Sequence, residues 1–512
     1  MQSYFPGSDD AQALASAMRD LDGFNWGYDP HHFIATEGSY ASSSEGVARV
    51  KETRAMVQSL QEIGLRVVLD VVYNHTTSSG IWEKSVFDKL VPGYYHRYSE
   101  ITGDIERSTC CENTATEHVM MDKFVSDSLV ILARDFGYDS FRFDVMGHMP
   151  KSSILAAREA VQAVDPDNYF YGEGWDFGEV ANNRLFTQAK QADMAGSEVG
   201  TFNDRIREAV RGGAMFSNNP TDGNLADQDT LRLSLAGNLQ NYILKDFKGN
   251  SAKGNSFSWN TQPTAYALDP ADSINYVSKH DNETLWDQLQ YKHATSMSIE
   301  QRVRAHNMAL AIPLVSQGIP FMQLGADLLR SKSMDRDIYN AGDWFNAVDL
   351  TKENNNWIIG LPNAEKNQQK WPEIIKVSGN PQAAAQPQDI AYAGDVFQEF
   401  LAIRSSSPLF RLTTEQDVID RVGFHNVGKN QQHGLIVMSI DDGQGFADLD
   451  NQVDALVVVI NATEQALSHT LPTSAGFELP PILTNSTDSS MAEVSFTASE
   501  TDGTFTVPAY TI

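Results

Sequence analysis

Apolar residues in the first 400 positions alternate between helical spacing and short, β-branched runs. Between residues 46 and 64 they recur every three to four positions, which predicts a helix that ends at Gly64. The next run, residues 65–72, is rich in apolar and β-branched residues, which is typical of a buried parallel strand. The same order recurs at residues 121–145 and 152–171. Helices that alternate with such strands predict an α/β fold, either a barrel or a doubly wound sheet.

The pattern weakens further along the chain. Residues 75–119 and 354–388 carry no clear periodicity, so we expect long loops there, the first of them over the substrate face of a barrel. Weaker apolar runs predict further strands at residues 194–199, 274–278 and 319–324.

The pattern changes after a last predicted helix that ends before Pro408. Three short β-rich segments follow, separated by Asp, Asn, Gly and Ser turns, at residues 434–439, 455–460 and 504–512. They predict a small antiparallel β-domain over roughly the last hundred residues. We therefore divide the chain into a catalytic part, residues 1–410, and a C-terminal β-domain, residues 411–512.

Composition and charge narrow the class of partner. The net charge of -29 disfavours nucleic acid, which requires clusters of Lys and Arg. No apolar run reaches the roughly 18 residues of a membrane span, and the first 24 residues lack the features of a signal peptide. We therefore expect neither a nucleic acid nor a membrane partner, and no export signal in this chain. The two cysteines, Cys110 and Cys111, are adjacent and lack zinc-type spacing, so either a vicinal disulfide or two thiols fits them.

Three acids, Asp144, Glu173 and Asp281, each follow a strand-like segment. A parallel barrel brings the carboxyl ends of its strands to one face, where its chemistry takes place. Asp144 and Glu173 are separated by one strand–loop–helix unit, which predicts neighbouring strands. Paired carboxyl groups at a site the size of a sugar are what cleavage of a glycosidic bond requires.

The surroundings of the first two acids suggest different roles. Arg142 lies two positions before Asp144, on the same face of a strand, and a guanidinium favours the ionised acid that a nucleophile needs. The alternative is a structural ion pair. Glu173 lies between two glycines that permit an exposed turn, and beside Trp175, an environment that suits a general acid. The alternative is an ordinary turn carboxylate.

Two further clusters offer polar groups at strand ends. His280, Asp281 and Asn282 supply the mixed donors and acceptors that sugar hydroxyls need, although a helix-capping cluster explains them equally well. Asp70 and His75 flank another strand end, together with Asn74, whose oxygen leaves a metal site open as an alternative. The aromatic segment 24–30 predicts a rigid loop that offers a flat ring, such as that of Tyr28, to a sugar, or else a hydrophobic anchor.

Together these segments resemble the four signature regions of the α-amylase family of glycoside hydrolases. Residues 24–30 are similar to the Tyr-Asn-Trp-Gly-Tyr-Asp-Pro motif of type I pullulanases and limit dextrinases, with Phe24 in place of the first Tyr. Further stretches similar to pullulanases of Gram-negative bacteria occur at residues 109–111, 201–205, 330–333 and 342–346. The likeness extends from about Phe24 to the C-terminus.

The resemblance implies retaining hydrolysis of α-1,6-glucosidic bonds in pullulan and branched α-glucans. It implies that Asp144 is the nucleophile, Glu173 the general acid and base, and Asp281 the stabiliser of the transition state. It also implies a set of substrate-binding residues, which comprises Tyr28, Asp70, His75, Arg142, Trp175, His280, Asn282 and Asp343. It implies no required cofactor, allows a bound Ca²⁺, and leaves the oligomeric state open.

The resemblance also predicts the architecture. In the family, two barrel strands precede the segment like residues 24–30, so we expect a (β/α)8 TIM barrel that lacks its first two strands, followed by a C-terminal antiparallel β-sandwich. This chain would then be a C-terminal fragment of a longer relative, which would be secreted or attached to the cell surface, or else cytoplasmic. Two alternative functions stay open: an inactive glucan-binding fragment, and an α-1,4-acting neopullulanase or amylase.

Overall fold

The computed structural model describes residues 3–19, 27–212, 215–216, 221–337, 339, 341–443 and 445–512. Contacts along the chain divide it into two compact units. The smaller unit is Gly23–Phe202, and the larger unit consists of Met1–Asp22 with Asn203–Ile512. This division lies inside the part that we predict to be catalytic, and the predicted boundary at residue 410 remains a prediction.

The smaller unit is built on a parallel sheet. Its strands are β1 (Val68–Val71), β2 (Ser140–Phe143), β3 (Tyr169–Gly172) and β4 (Gly200–Asn203), the last of which ends at the unit boundary. Each strand pairs in parallel with the next one in this order. Short antiparallel strands, His75–Thr76 and Glu112–Asn113, pair within the long segment between β1 and β2. The predicted α/β arrangement with parallel strands is confirmed here, but β1 is not buried as predicted: Val68 is 40% exposed, and of its four residues Val71 alone is buried.

The helices of the smaller unit lie between these strands, as the periodicity predicts. Helix Val119–Phe136 buries one apolar face and ends where Gly137 adopts a left-handed conformation at φ 82°. Together with Phe141, Phe143 and Phe170 from the sheet, this face forms the core of the unit. The other helices are Ala48–Glu62, Phe87–Leu90, Lys151–Gln162 and Gln191–Met194, and the 3₁₀ turns are Gly38–Tyr40, Met146–His148 and Gly178–Asn183.

One predicted apolar face is not buried. Helix Ala48–Glu62 forms where its spacing predicts it, but among its apolar residues only Val57 is fully buried. Val47, just before the helix, and Ile63, just after it, are 65% and 72% exposed. Periodicity identified the helix correctly, because helical spacing is a property of consecutive residues. It did not show which of those residues another element of the fold would cover.

The larger unit contains a second parallel pair, formed by β5 (Ser273–Asn275) and β6 (Ile319–Pro320). Its longest helices are Asp222–Leu235, Ile299–Val315 and Pro387–Ser406. Its other α-helices are Asp10–Met18, Asp204–Arg211, Leu285–Lys292, Asp343–Asn346, Ala364–Asn367, Trp371–Ser378, Glu415–Arg421 and Pro481–Thr484. No helix in the described part of the chain is long and apolar enough to cross a membrane.

The last part of the larger unit consists of antiparallel strands. One sheet has the order β7 (Val422–Phe424), β8 (Leu435–Asp441) and β9 (Ala455–Asn461). The strands β10 (Leu467–Leu471), β11 (Ser495–Ala498) and β12 (Gly503–Val507) form a second sheet in which β12 is central. The prediction of an antiparallel C-terminal region is confirmed. Two further antiparallel ribbons occur earlier, Ile243–Lys245 with Ser251–Lys253 and Ser258–Trp259 with Gln262–Pro263.

Two segments differ from their predictions. The strand predicted at residues 194–199 is wrong, because the helix Gln191–Met194 occupies its start and the strand begins only at Gly200. The loop predicted at residues 354–388 contains the helices Ala364–Asn367 and Trp371–Ser378. The second of these has a proline in its first turn, a signal of helix initiation that the Asn- and Gln-rich composition concealed.

The buried side chain of Asn461 provides a test of the C-terminal packing. Its Nδ2 donates to the carbonyl oxygens of Gln465, Val507 and Pro508 at 2.8, 3.0 and 2.8 Å. Asn461→Asp replaces this donor with an acceptor that faces three carbonyl oxygens. We expect a loss of about 3 kcal/mol or more in the free energy of unfolding, measured by urea denaturation at neutral pH. A loss below about 0.5 kcal/mol would contradict this packing.

Candidate active site

Polar side chains of the smaller unit converge near the carboxyl ends of its parallel strands. Asp70 of β1, Arg142 of β2 and Tyr171 of β3 occupy matching positions in the register. Side chains at matching positions of neighbouring strands project from the same face of a sheet. Asp144 and Glu173 come directly after β2 and β3. The structure therefore brings together four of the predicted site residues, one of which is basic.

The guanidinium of Arg142 is the centre of this group. Its Nη1 lies 2.8 Å from Asp70 Oδ1 and 3.3 Å from Asp144 Oδ1. Its Nη2 lies 2.9 Å from Glu173 Oε1. Burial lowers the pKa of Arg142, but the surrounding negative groups, Glu173 foremost, raise it to well above its ordinary value. A permanent positive charge, only 5% exposed, therefore neutralises part of the charge of three acids.

The backbone after β2 ties the two acids of the smaller unit together. The amide of Asp144 donates to the carbonyl of Val71, and the amide of Glu173 donates to that of Phe143, at 2.9 and 3.0 Å. Val145 adopts a left-handed conformation at φ 42°, which is strained for a β-branched residue. Its N–H donates to Glu173 Oε2 at 3.1 Å. The turn after Asp144 thus positions the Glu173 carboxylate.

The glycines around Glu173 permit close approach rather than an exposed turn. Glu173 is 4% exposed, so the expectation that it stands at an exposed strand end is wrong. A Cβ at Gly172 would lie 2.6 Å from the Phe143 carbonyl oxygen, and a Cβ at Gly174 would lie 2.8 Å from the Gln191 nitrogen. The backbone at both positions packs so closely against its neighbours that no side chain fits.

Tyr28 is held at both ends. Its hydroxyl donates a short hydrogen bond to Asp70, and its backbone carbonyl accepts one from His75 Nε2 at 2.7 Å. Burial, and then the charge of Asp70, raise the pKa of its hydroxyl far above the usual range. The ring centroid lies 5.5 Å from the Arg142 guanidinium carbon, at a distance typical of a cation–π contact. The aromatic residues 24 and 26 of the same motif lie outside the described residues.

His75 contacts the protein through both ring nitrogens. Asn74 Nδ2 donates to His75 Nδ1 at 2.7 Å, and Nε2 donates to the Tyr28 carbonyl. Burial lowers the pKa of His75, which is consistent with this neutral ring. In this structure Nε2 of His75 contacts the backbone of Tyr28 and, at 3.4 Å, the sulfur of Cys110.

Three further predicted site residues, His280, Asp281 and Asn282, lie in the larger unit. Lys279 Nζ donates to Asp281 Oδ2 at 2.6 Å, and His280 Nε2 lies 3.7 Å from the same oxygen. The side chains of His280 and Asp281 are about half exposed, whereas that of Lys279 is buried. Asn282 adopts a left-handed conformation at φ 61°. Sequence reasoning missed Lys279, which adjoins the cluster but was not assigned a contact.

The two remaining predicted positions differ in exposure. Trp175, in the smaller unit, is partly buried, and its carbonyl lies close to Gly147. Asp343, in the larger unit, is exposed at the first position of the helix Asp343–Asn346. The neighbouring Trp344 packs into an apolar cluster with Phe345.

Sequence reasoning also missed a second buried ionic network in the smaller unit. Arg97 forms ion pairs with Glu117 and Glu179 at 2.8 and 2.7 Å. Its Nη2 also donates to the carbonyl of His148 at 3.1 Å, at the end of the turn Met146–His148 that follows Asp144. These residues occur singly in a long loop segment and after strands, so no local pattern signals that they meet.

The metal alternative gains no support from the described residues. One group of three potential ligands among them, His75, Cys110 and Cys111, has its ligand atoms within 4.8 Å of one another. Cys110 and Cys111 are joined in a disulfide, so they offer no thiolate. Ca²⁺ prefers oxygen ligands, and this group therefore does not fit it.

Comparison with known proteins places these features in context. Residues 352–512 match the family model described as alpha-1,6-glucosidases, pullulanase-type, C-terminal. The pullulanase of Klebsiella pneumoniae is 41% identical over 98% of this chain and 48% of its own length. The chloroplastic pullulanase 1 of Arabidopsis thaliana is 40% identical over 99% of this chain and 56% of its own length. The chain therefore spans about half the length of the relatives it matches.

Solved structures agree with the sequence comparison. The crystal structure of PulA from Klebsiella oxytoca superposes with a TM-score of 0.94 at 40% identity, over 100% of this chain and 50% of that one. The Klebsiella pneumoniae pullulanase complexed with maltotriose superposes with a TM-score of 0.91 at 40% identity, over 98% of this chain and 49% of that one.

The close contact at Gly147 gives the first test of the site. A Cβ there would lie 2.0 Å from the Trp175 carbonyl oxygen, so the turn after Asp144 would have to move. We expect Gly147→Ala to lower the free energy of unfolding by about 3 kcal/mol. As a control, Gly27→Ala adds a methyl group with no atom of the described residues within 4 Å and should cost no more than about 0.5 kcal/mol. Equal urea midpoints for the two variants would refute the packing described here.

The buried His148 permits a second test, in which stability is measured as a function of pH. Burial lowers its pKa from 6.5 to about 4. Between these values the unfolded chain binds a proton that the folded chain does not, so stability is present above pH 6.5 and is lost on acidification towards pH 4. Glu179 adds a loss in the same direction at lower pH. Burial raises its pKa, but hydrogen bonds from Ser108 and Arg97 lower it to about 2.

The slope of the unfolding free energy against pH gives the number of protons that the chain takes up on unfolding. We expect His148→Gln to lower this number by up to one between pH 6.5 and 4.5. Urea denaturation at several pH values in this interval measures the slope. A variant whose slope equals that of the wild type would show that His148 is not the titrating group.

Proposed function

The chain belongs to the type I pullulanase branch of the α-amylase family of glycoside hydrolases, and we propose that it hydrolyses α-1,6-glucosidic bonds with retention. The proposed substrates are pullulan and branched α-glucans such as amylopectin and limit dextrins. Maltotriose in the complex of the Klebsiella pneumoniae relative supports a glucan as the ligand.

The observation that carries this proposal is the group of acids around Arg142. Asp144 and Glu173 lie at the ends of neighbouring parallel strands, and one guanidinium binds both. Both are largely buried, as the acids of a site that excludes water are. This one cation contacts three acids, two of which are the proposed nucleophile and general acid.

We assign the first chemical step to these two acids. Asp144 attacks the anomeric carbon, and a covalent glycosyl–enzyme ester forms as the bond to the α-1,6 oxygen breaks. Glu173, protonated in the substrate complex, gives its proton to that departing oxygen. Asp281 is assigned, on its motif alone, to stabilise the positive charge that develops on the sugar ring.

The second step returns the enzyme to its starting state. Glu173, now ionised, takes a proton from water, and the water oxygen attacks the anomeric carbon of the ester. The bond to Asp144 breaks, and the two inversions together retain the anomeric configuration. Both partners of the chemical step are carboxyl groups, so the proposal requires no cofactor and assigns no step to Ca²⁺.

Substrate binding is assigned to the side chains that the family resemblance implies. We propose that the Tyr28 ring, fixed by Asp70 and His75, stacks under the sugar at the cleavage point. His75 then acts by holding the Tyr28 backbone rather than by binding a sugar hydroxyl. The other assigned residues are Arg142, Trp175, His280, Asn282 and Asp343.

We also propose the finer architecture that the family resemblance implies. The parallel strands β1 to β6 would belong to a (β/α)8 barrel, and residues 411–512 to a β-sandwich. The parallel pairing within each unit and the two antiparallel sheets of the C-terminal region support this proposal.

Two substitutions test the roles of the acids. We expect Asp144→Asn to lower kcat on pullulan at least about 10⁴-fold, because no nucleophile remains. We expect Glu173→Gln to lose turnover of pullulan but to keep attack on an α-maltotriosyl fluoride, whose leaving group needs no proton. Asp127→Asn, at an exposed helical carboxylate that pairs with Lys123, is the control and should keep wild-type rates.

The products distinguish the proposal from its alternatives. Maltotriose released from pullulan supports α-1,6 cleavage, whereas panose would identify a neopullulanase. Binding of pullulan without any sugar release would identify an inactive glucan-binding fragment. Full activity of Asp144→Asn would overturn the assignment of the nucleophile.

A further inference from the structure

Lys332 is a fully buried lysine in the larger unit, and the mechanism above gives it no role. Burial of a lysine costs free energy unless its ammonium group is well solvated by protein atoms. The Nζ of Lys332 donates to the backbone carbonyls of His280 and Asn282 at 2.8 and 2.7 Å. These two residues flank Asp281 in the chain. The ammonium group therefore contacts the backbone immediately before and immediately after that acid.

The segment that carries Lys332 is itself held by a buried acid. Asp287, in the helix Leu285–Lys292, accepts hydrogen bonds from the backbone amides of Lys332 and Met334 at 2.8 and 3.2 Å, and another from Ser331 Oγ. The side chain of Asp287 is fully buried. That helix begins three residues after Asn282. The helix that follows the loop of Asp281 therefore binds the segment of Lys332, and Lys332 in turn binds the loop.

The backbone of this loop has an unusual conformation. Asn282 is left-handed at φ 61°, a region that residues other than glycine rarely adopt. A hydrogen bond to its carbonyl helps to hold that conformation. Lys332 supplies such a hydrogen bond to Asn282 and to His280 at once, and so acts as a clamp.

We propose that Lys332 is a positioning residue for Asp281, whose ammonium group fixes the two flanking carbonyls and thereby the direction of the Asp281 carboxylate. This proposal rests on the proposed function, because it is Asp281's role in catalysis that gives the clamp its purpose. Lys279 contacts the Asp281 carboxylate itself, whereas Lys332 contacts the backbone on either side of that acid.

The charge on Lys332 is consistent with this role at neutral pH. Burial lowers its pKa to about 8, while Asp335 and Asp287 act in the opposite direction. The other charged groups that affect it are Arg330, which lowers the pKa, and Asp281, which raises it. The side chain therefore carries its charge at pH 7.

A purely structural role predicts a different outcome from a positioning role. If Lys332 only fills space, its loss lowers stability and leaves kcat per folded molecule unchanged. If it positions Asp281, its loss lowers kcat with little change in KM, because the affected interaction strengthens only in the transition state.

The first experiment compares Lys332→Met with Arg232→Met in the full chain. Arg232 is also a fully buried cation of the larger unit, and it binds Asp229 and the carbonyl of Asn426. We expect both variants to be less stable. We expect only Lys332→Met to lower kcat on pullulan, by about 100-fold, with KM changed less than about threefold.

Hydrogen–deuterium exchange provides a readout that does not depend on turnover. We expect exchange in residues 278–284 to rise at least about tenfold in Lys332→Met and to stay at the wild-type rate in Arg232→Met. If the wild-type chain fails to cleave pullulan, the proposed function fails, but this exchange still tests the clamp. Unchanged exchange in Lys332→Met would overturn the clamp even in an active enzyme.

Chemical rescue separates the ammonium group from the volume of the side chain. We expect ethylammonium ions to raise the kcat of Lys332→Ala at least about tenfold, in a saturable manner. Ethanol at the same concentration should leave that kcat unchanged. Equal recovery with ethanol would contradict a specific role for the charge.

Discussion

The buried guanidinium of Arg142 is the interaction on which the geometry of the candidate site depends. Three carboxylates from three strand ends would repel one another in a site from which water is largely excluded. Arg142 compensates part of that charge and also fixes direction, since its two terminal nitrogens bind oxygens of Asp70, Asp144 and Glu173. Removal of the guanidinium would leave these acids without the cation that compensates their charge. The register that places Asp70 opposite Arg142 is therefore part of the site.

Around this cation, positions are set by backbone contacts as much as by side chains. The glycines beside Glu173 allow the chain to approach β2 and a neighbouring loop, and the strained Val145 directs its amide to the Glu173 carboxylate. His75 holds a carbonyl of the residue whose ring faces Arg142. In the larger unit Lys332 likewise binds carbonyls rather than carboxylates. In both units, buried cations thus contact the segments that carry the predicted catalytic acids.

The sequence predictions were correct mainly where interactions between nearby residues determine the structure. The helices Ala48–Glu62, Val119–Phe136 and Lys151–Gln162 and strands β1 to β3 formed where periodicity placed them, because helical spacing and glycine stops are local signals. The errors arose where composition was used in place of pattern, as at residues 354–388, or where an apolar run was short, as at residues 194–199. The apolar side of Ala48–Glu62 is largely exposed, because burial depends on a neighbouring element that the spacing does not show.

By itself the sequence determined the order of elements, the identity of the acids at strand ends and the family motifs, because each of these is a feature of consecutive residues. Only the tertiary structure decided which groups meet. Arg142 and Asp70 are 72 residues apart, and Lys332 and Asn282 are 50 residues apart. It also decided that Glu173 is buried and that His75 binds backbone. A contact between residues far apart in the sequence depends on the register of the strands and on how the loops close. No local pattern of residue types shows which of these distant residues will meet.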